Sequence, residues 1–449
     1  MNIAASSYKT AQKAKRLFLP VFTNTSLEKE AFFSYLPKSS QKILAQFFTN
    51  ECKKTDGEIK SLWLPEGDIR QIILFGLGEK EKWNMRKNPL LARRLVQYAN
   101  NEDIREFTAP FSSVSAQGAN TKEIAKIFAE NSVMANFAFT KYKERPKEGW
   151  PEVNLICLLA SEREIPEINS GIREGIIIGE ETNQCRALSN TPGGDMTPIL
   201  LANSAKRAVE NLAVRATILD ERKMRGLGMG AILGVAKGSE EKPCFIILEY
   251  RNGPKNQKPL VLVGKGVTFD TGGLNLKPSN YIYEMHMDMS GGAAVIHGIA
   301  AIAKLKLPIN IVGLIPAAEN MPSGSSYHPG DLLKSLSGKT IEVLDTDAEG
   351  RILLSDALTY GLRHKPGLMV DFATLTGAAH VALGNHMSAL FTKESDEKLQ
   401  QALIEIEKKA SQEQILPFSL KKKSQSFDIL KIIKEKVVKS AFAQSCTGS

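Results

Sequence analysis

The stretch Val263–Lys277, VGKGVTFDTGGLNLK, decides how the rest of the chain is read. Leu260–Val263 is an apolar run of strand character that leads into a glycine-rich turn carrying Lys265, Asp270 and Lys277. Glycines let the backbone turn tightly and approach a neighbouring group closely. Outward from this stretch the same alternation recurs. Strand-like runs stand at Phe245–Tyr250, Ile309–Ile315, Ile341–Leu344 and Leu368–Phe372, with helical stretches at Gly291–Leu305 and Ser355–His364. Continuous apolar strands separated by helices mark a sheet covered on both faces. The expected fold class is α/β, and 449 residues exceed what one core usually organises. Two domains follow: a small N-terminal α/β domain and a larger C-terminal catalytic α/β domain whose mixed sheet is flanked by helices.

The N-terminal part, residues 1–165, carries compact apolar runs at Gln71–Leu77 and Val153–Ala160, with a helical pattern from Asn120 to Lys143 between them. Ser161–Ser170 is polar and broken by Pro166, which reads as a linker. A helix is expected from about Gly171 to Leu188, closed by Asn190–Gly194 (NTPGG). Residues 166–188 therefore connect to a catalytic domain at 189–449, whose tail departs from pattern after about residue 391.

Composition excludes several classes. The 43% apolar and 24% charged residues suit a soluble globular enzyme. No apolar run reaches the roughly 18 residues that cross a bilayer, so no membrane partner is expected. Lys9, Lys13, Lys15 and Arg16 precede the first acid, Glu28, as in a transit peptide; Arg16–Phe22 (RLFLPVF) reads instead as a first strand, and Pro20 cuts it too short for a secretory signal. The five cysteines are scattered and never in CxxC spacing, which argues against disulfides and a thiolate zinc site and for a reducing, cytoplasmic location. Of the net charge of +9, five units come from residues 420–449, where seven lysines face Asp428 and Glu435. The body is nearly balanced and the basicity is mostly a property of the tail, so nucleic acid is a less favoured partner.

Chemistry concentrates at three places. To Lys265, Asp270 and Lys277 are added Asp288, in Met285–Gly292 (MHMDMSGG) just before a helix, and Asp345, Asp347, Glu349 and Arg351 in Val343–Arg351 (VLDTDAEGR). In extended chain that every-second spacing aims all four of the last group at one face. Asp270, Asp288, Asp347 and Glu349 in one cleft would repel until one held a proton, unless divalent cations intervene. Oxygen ligands suit Mg, Mn or Zn, and four carboxylates exceed the need of one ion. Taken singly, an acid such as Asp288 is as readily an ion-pair partner or a solvated side chain. The six histidines form no HExxH or other paired spacing. His297 reads as a packed or hydrogen-bonded residue, and His286 neighbours the site but alternates away from Asp288's partners. No GxSxG supports a serine nucleophile, and Gly76-Leu77-Gly78 is a strand-end turn.

With these motifs the chain resembles the leucyl aminopeptidase family of cytosolic two-metal exopeptidases. The resemblance is carried by DTDAEGRI and VGKGVTFDTGG, and by Gly228–Pro243 (GMGAILGVAKGSEEKP), Pro316–Gly324 (PAAENMPSG), His328–Leu333 (HPGDLL) and Ala373–Gly384 (ATLTGAAHVALG). It spans about Glu174 to Leu390, the N-terminal domain matching in layout only. It implies that Asp270 and Glu349 bridge two ions, that Asp347 completes one site, and that Lys265 and Asp288 complete the other. Lys265 would ligate as the neutral amine, although a free lysine has a pKa of about 10.4. Lys277 would stay charged and stabilise the oxyanion, and Arg351 would hold a bicarbonate-like anion as proton shuttle. Met285, Thr374, Leu375 and Gly377 match substrate-pocket positions. The ions would be Zn or Mn, with Mg also fitting. A water between them would be the nucleophile, and one ion would bind the free α-amine of a peptide substrate, with leucine-type residues released. Relatives form homo-oligomers, which implies a hexamer here.

Two features depart from the family pattern. Asp345 stands where asparagine is more common, adding a carboxylate near the pocket that would either attract the substrate ammonium or raise a neighbour's pKa. The tail carries Phe427, Leu430, Ile433 and Val437 at helical spacing among lysines, read as a surface helix or, more sharply, as a nucleic-acid or membrane-surface helix. The alternative function is a catalytically weakened relative acting as an oligomeric nucleic-acid-binding or scaffold protein. A third reading, a two-metal phosphoester hydrolase, is excluded by the resemblance and not by the chemistry.

Overall fold

The structure, a computed structural model, describes residues 1–9, 15–84, 87–114, 120–384, 387–393, 398–403 and 414–420. The chain forms two compact units, Met1–Glu180 and Glu181–Ser449. In the first, six strands make one sheet: β1 (Asn2–Ser7), β2 (Arg16–Val21), β3 (Ile59–Trp63), β4 (Gln71–Gly76), β5 (Glu106–Pro110) and β6 (Leu155–Ala160), in the order β1-β6-β5-β2-β4-β3. All neighbours are parallel except β3 and β4. The run read as a first strand is β2, with neighbours on both sides and five of its six residues buried.

Two boundaries differ from the sequence reading. The helix expected over Asn120–Lys143 spans Thr121–Ala135. It stops there because Asn136 turns its amide onto Val153, donating to the carbonyl and accepting from the N–H at 2.9 Å each. The segment read as a linker is largely helix, since a helix runs from Ile165 to Ser189. Pro166 sits in the first turn, where its missing N–H costs nothing. Along that helix Gly171, Gly175 and Gly179 recur at every fourth position. A Cβ on them would stand 2.1, 2.2 and 2.8 Å from the carbonyl oxygens of Lys122, Lys126 and Glu130, so only glycine permits this close packing on Thr121–Ala135.

The second unit is built on β7 (Val214–Leu219), β8 (Cys244–Arg251), β9 (Leu260–Gly264), β10 (Gly266–Asp270), β11 (Asn310–Asn320) and β14 (Leu368–Phe372), in the order β14-β9-β11-β8-β7, with β10 also paired to β11. The sheet is mixed: β9, β10 and β14 run parallel to their partners, and β8 is antiparallel to β7 and β11. Every residue of β11 is buried. Its alternate residues serve opposite faces. Ile311 and Ile315 pack with Val295, Ile296 and Ile299 of the helix Ser290–Lys304. Val312 and Leu314 pack with Leu353, Leu354 and Ala357 of the helix Glu349–Gly361. Period-two alternation between two covered faces is what makes the strand continuously apolar.

The strand expected at Ile341–Leu344 is β13 (Thr340–Glu342), which pairs only with β12 (Leu332–Lys334) in a separate antiparallel hairpin. Ile341 packs against the core cluster that includes Val312 and Leu314, while Leu344 lies beyond the strand and is exposed. The buried carboxylate of Asp356 fixes this hairpin, accepting from the N–H groups of Leu336 (2.7 Å), Ala231 (3.0 Å) and Ile232 (3.1 Å). Further on, β15 (Met387–Lys393) and β16 (Gln414–Leu420) form a parallel pair. The helix read at Phe427–Val437 lies outside the described residues. No helix among the described residues is long and apolar enough to cross a membrane.

Candidate active site

The candidate site gathers at the C-terminal ends of parallel strands. Lys265 follows β9, Asp270 ends β10, Asn320 ends β11, and Thr374 follows β14. Ligands of open α/β sheets gather at such ends. The loop after Asp270 is held by Gly272 (φ 88°) and Gly273 (φ 64°), in the left-handed region that favours glycine. A Cβ on Gly272 would meet the Asn275 carbonyl at 2.4 Å. The loop closes when the Lys277 N–H donates to the Thr271 carbonyl at 2.9 Å.

The VLDTDAEGR segment is not extended, as its spacing suggested. Thr346–Ala348 is a 3-10 turn and Glu349 begins the helix that runs to Gly361. Asp345 makes the turn, its carboxylate accepting from the Asp347 N–H at 2.9 Å as an N-cap. A capped turn, rather than a pleat, brings Asp347 and Glu349 together. Oxygen atoms of Asp270, Asp347 and Glu349 lie within 4.8 Å of one another, a spacing suited to a metal ion.

Two ammonium groups face the carboxylates. Lys265 Nζ lies 2.6 Å from Asp288 Oδ2 and 2.7 Å from Glu349 Oε1, and donates to the Thr374 carbonyl at 2.9 Å. Lys277 Nζ lies 2.9 Å from Asp270 Oδ2 and also pairs with Asp347. Four carboxylates against two ammoniums leave an excess of negative charge in a site where Lys265, Asp270, Asp288 and Glu349 are all buried. That excess and the burial shift the acidities of the site. Burial lifts the pKa of Asp288 well above the ordinary carboxylate range, with Asp270 and Glu349 adding to the rise and Lys265 opposing it. Glu349 and Asp347 are raised for the same first cause. For Lys265 burial works against the charge, but Asp288, Glu349 and Asp270 prevail and raise its pKa.

The donor set fits divalent ions. The excess charge is what such ions neutralise, and Glu349 Oε2 is buried with no hydrogen-bond partner among the described residues. Arg351 likewise keeps a buried Nε without a partner, a donor suited to an anion. Around this cluster Thr374 donates to Asp288 Oδ1 at 2.6 Å, so it braces a carboxylate. Met285 opens the half-buried turn Met285–Met287 that leads to Asp288. Leu375 Cδ2 would stand 3.0 Å from a Cβ on Gly350. Gly377 starts the exposed helix Gly377–Leu383.

Among the described residues, no histidine joins the Asp270, Asp347 and Glu349 cluster. His297 is buried against Glu181 at 2.7 Å, a packed and hydrogen-bonded residue as expected. Burial lowers the pKa of His286. Burial also pushes the Cys52 thiol up to about 11 and Cys244 to about 12, so neither offers a thiolate near neutral pH. The sequence reading missed Asn320, whose side-chain amide donates to Asp270 Oδ1 at 2.8 Å. Its one signal was a place in PAAENMPSG, a segment that carries resemblance and no chemistry of its own.

Comparison with known proteins agrees with this geometry. The model for the cytosol aminopeptidase family, catalytic domain, matches residues 183–447, and that for the N-terminal domain of the same family matches residues 18–146. The match is thus wider than the motifs indicated, taking in the N-terminal domain and the tail beyond Leu390. Similarity spread thinly over many positions offers no single motif to quote. The "Probable cytosol aminopeptidase" of Roseiflexus castenholzii is 41% identical over 343 residues, 76% of this chain and 70% of that protein. A mutant of tomato leucine aminopeptidase is similar with a TM-score of 0.79 and 26% identity, covering 99% of this chain and 88% of that one. The bottromycin maturation enzyme BotP in complex with Mn gives a TM-score of 0.76 and 26% identity, covering 96% of this chain and 89% of that one. With both family domains matched in order and a lysine–carboxylate cluster at its strand ends, the chain belongs to the cytosol aminopeptidase family of metal-dependent peptidases.

Proposed function

We propose that the protein releases N-terminal residues, leucine-type side chains foremost, from peptides in the cytoplasm, with two divalent ions of Zn or Mn, or Mg, at the strand ends. The observation that carries the reading is the convergence of the buried Asp270 and Glu349 with the half-buried Asp347, with Asp288 and Lys265 beside them and the Glu349 Oε2 unpaired among the described residues. Asp270 and Glu349 would be shared between the ions. Asp347 would complete one set, and Lys265 with Asp288 the other. Bound there, the ions would supply Lewis acidity toward the scissile carbonyl and toward a water.

The chain's own groups do the rest. Lys265 must give up its proton to act as a ligand, against carboxylates that raise its pKa. Lys277, half-buried and raised in pKa despite burial by Asp270 and Asp347, keeps its charge to meet a developing oxyanion. The Arg351 Nε, unpaired among the described residues, supports a bicarbonate-like anion there, able to carry a proton. The apolar Met285 and Leu375, with Thr374, Gly377 and the rim residue Asp345, would meet the substrate. A homo-oligomer, a hexamer by family resemblance, is part of the same reading.

The test is hydrolysis of leucyl-p-nitroanilide with added Mn²⁺ or Zn²⁺, with and without chelator, followed by a panel of aminoacyl substrates. Metal-dependent turnover that chelator abolishes is expected. Absence of any metal-dependent turnover sinks the reading, and a flat aminoacyl profile removes the leucine preference alone.

A further inference from the structure

We propose that Asn320, with Thr346 and Asn275 behind it, staples the two ligand-bearing loops into one unit, so that divalent ions meet a site already formed. The inference rests on the metal-site reading above and concerns a positioning role, since Asn320 touches ligands rather than reacting atoms. Asn320 ends β11 and its side chain is fully buried. Its Nδ2 donates to Asp270 Oδ1 at 2.8 Å and to the Thr346 carbonyl at 3.0 Å. One amide therefore grips the loop after β10 and the turn before Glu349 together. The Asn320 backbone carbonyl holds the first loop a second time, accepting from the Thr271 N–H at 3.0 Å and the Thr271 hydroxyl at 2.8 Å.

Behind it the two loops are bonded directly. The Thr346 hydroxyl donates to the Gly272 carbonyl at 2.6 Å and accepts from the Asn275 N–H at 2.8 Å. Asn275 Oδ1 accepts from the Thr346 N–H at 2.9 Å. Tyr327 adds a hydroxyl donating to the Thr346 carbonyl at 2.7 Å. The space is closed to anything larger, because a Cβ on Gly273 would stand 2.9 Å from Asn320 Oδ1 and 3.1 Å from Thr346 Oγ1.

The physical consequence is that Asp270 cannot rotate its carboxylate without losing a charge-assisted hydrogen bond. Nor can the Asp347–Glu349 turn drift from it, since both are tied to one rigid strand end. Partners that orient ligands in this way typically change metal affinity or activity by about ten- to hundred-fold when removed.

The experiment titrates metal-free, full-length protein with Mn²⁺ against a fluorescent chelator. Wild type, Asn320→Ala and Asn275→Ala are compared, alongside the thermal midpoint of each metal-free protein and the Mn²⁺ dependence of leucyl-p-nitroanilide hydrolysis. The staple predicts that Asn320→Ala binds Mn²⁺ about ten- to hundred-fold more weakly. Its activity midpoint should move to higher Mn²⁺ by the same factor. A merely structural role would lower the thermal midpoint and leave Mn²⁺ affinity unchanged, and that result in a folded Asn320→Ala overturns the proposal. If Asn320→Ala does not fold, the exposed Asn275→Ala decides: weaker Mn²⁺ binding supports the staple, and wild-type binding overturns it. A wild-type protein that takes up no Mn²⁺ instead refutes the metal-site reading, and the staple with it.

Discussion

Replacing Gly350 with alanine sets two effects of one methyl group against each other. Gly350 lies in the first turn of the helix Glu349–Gly361, so alanine there should favour the helix by roughly 1 kcal/mol. The same Cβ would stand 2.8 Å from Lys265 Cε, 2.9 Å from Lys265 Nζ and 3.0 Å from Leu375 Cδ2. Carbon atoms rest at about 3.5 Å or more, so the lysine tip must retreat by roughly 0.7 Å. It has little room to do so, being buried and held at 2.6, 2.7 and 2.9 Å by Asp288, Glu349 and the Thr374 carbonyl. Overpacking of this kind costs about 1–3 kcal/mol, so the helix gain offsets part of it and the protein should lose no more than about 2 kcal/mol. The site should suffer far more, because a misplacement near 1 Å costs about a hundred-fold in a positioned reaction. Gly298→Ala is the control: it lies in the helix Ser290–Lys304 and its added Cβ meets nothing within 4 Å. It should stabilise by roughly 1 kcal/mol with activity unchanged. The assay is Mn²⁺ titration and kcat/KM for leucyl-p-nitroanilide, beside urea unfolding of both variants. Wild-type metal affinity and kcat/KM in Gly350→Ala would refute the close approach of Lys265 as a working part of the site.

Two further outcomes follow from the same geometry. Lys277→Ala should abolish turnover while both ions remain bound, as read by metal content after gel filtration; loss of both ions would show that the lysine holds the site rather than the oxyanion. Apparent Mn²⁺ affinity should fall on acidification, by about ten-fold for each pH unit from the Lys265 proton alone, because that proton must leave when the ion arrives. The fall should steepen as Asp288 and Glu349, both raised in pKa chiefly by burial, begin to hold protons. The sign is fixed by ligands that bind only when deprotonated, so affinity that is flat or rises toward acid in a chelator-competition titration contradicts the ligand set.

Much of the candidate site is legible in the sequence. Lys265, Asp270, Lys277, Asp288, Asp347, Glu349 and Arg351 stand out by residue type and by their places after apolar strands, and the lack of paired histidines removes the commonest zinc pattern. Apolar runs mark β2, β4, β8, β9, β11 and β14 because a strand covered on both faces needs little else to declare itself. Two local patterns mislead. Every-second spacing in VLDTDAEGR imitates a strand, but an N-cap at Asp345 and a helix start at Glu349 turn it into a 3-10 bend. Pro166 imitates a break but sits where a helix tolerates proline.

The sequence by itself determined which groups could carry charge, ligate a metal and line the sheet, since those properties belong to the residues and to periods of two or four positions. Only the tertiary structure decided that Asn320 grips Asp270 from fifty residues away and that Asp356 caps a helix start 125 positions upstream. It also decided that glycines at 171, 175 and 179 let two helices touch. Hydrogen bonds across such separations leave no local pattern, because a pairing partner is chosen by the folded path of the chain and not by its neighbours in sequence.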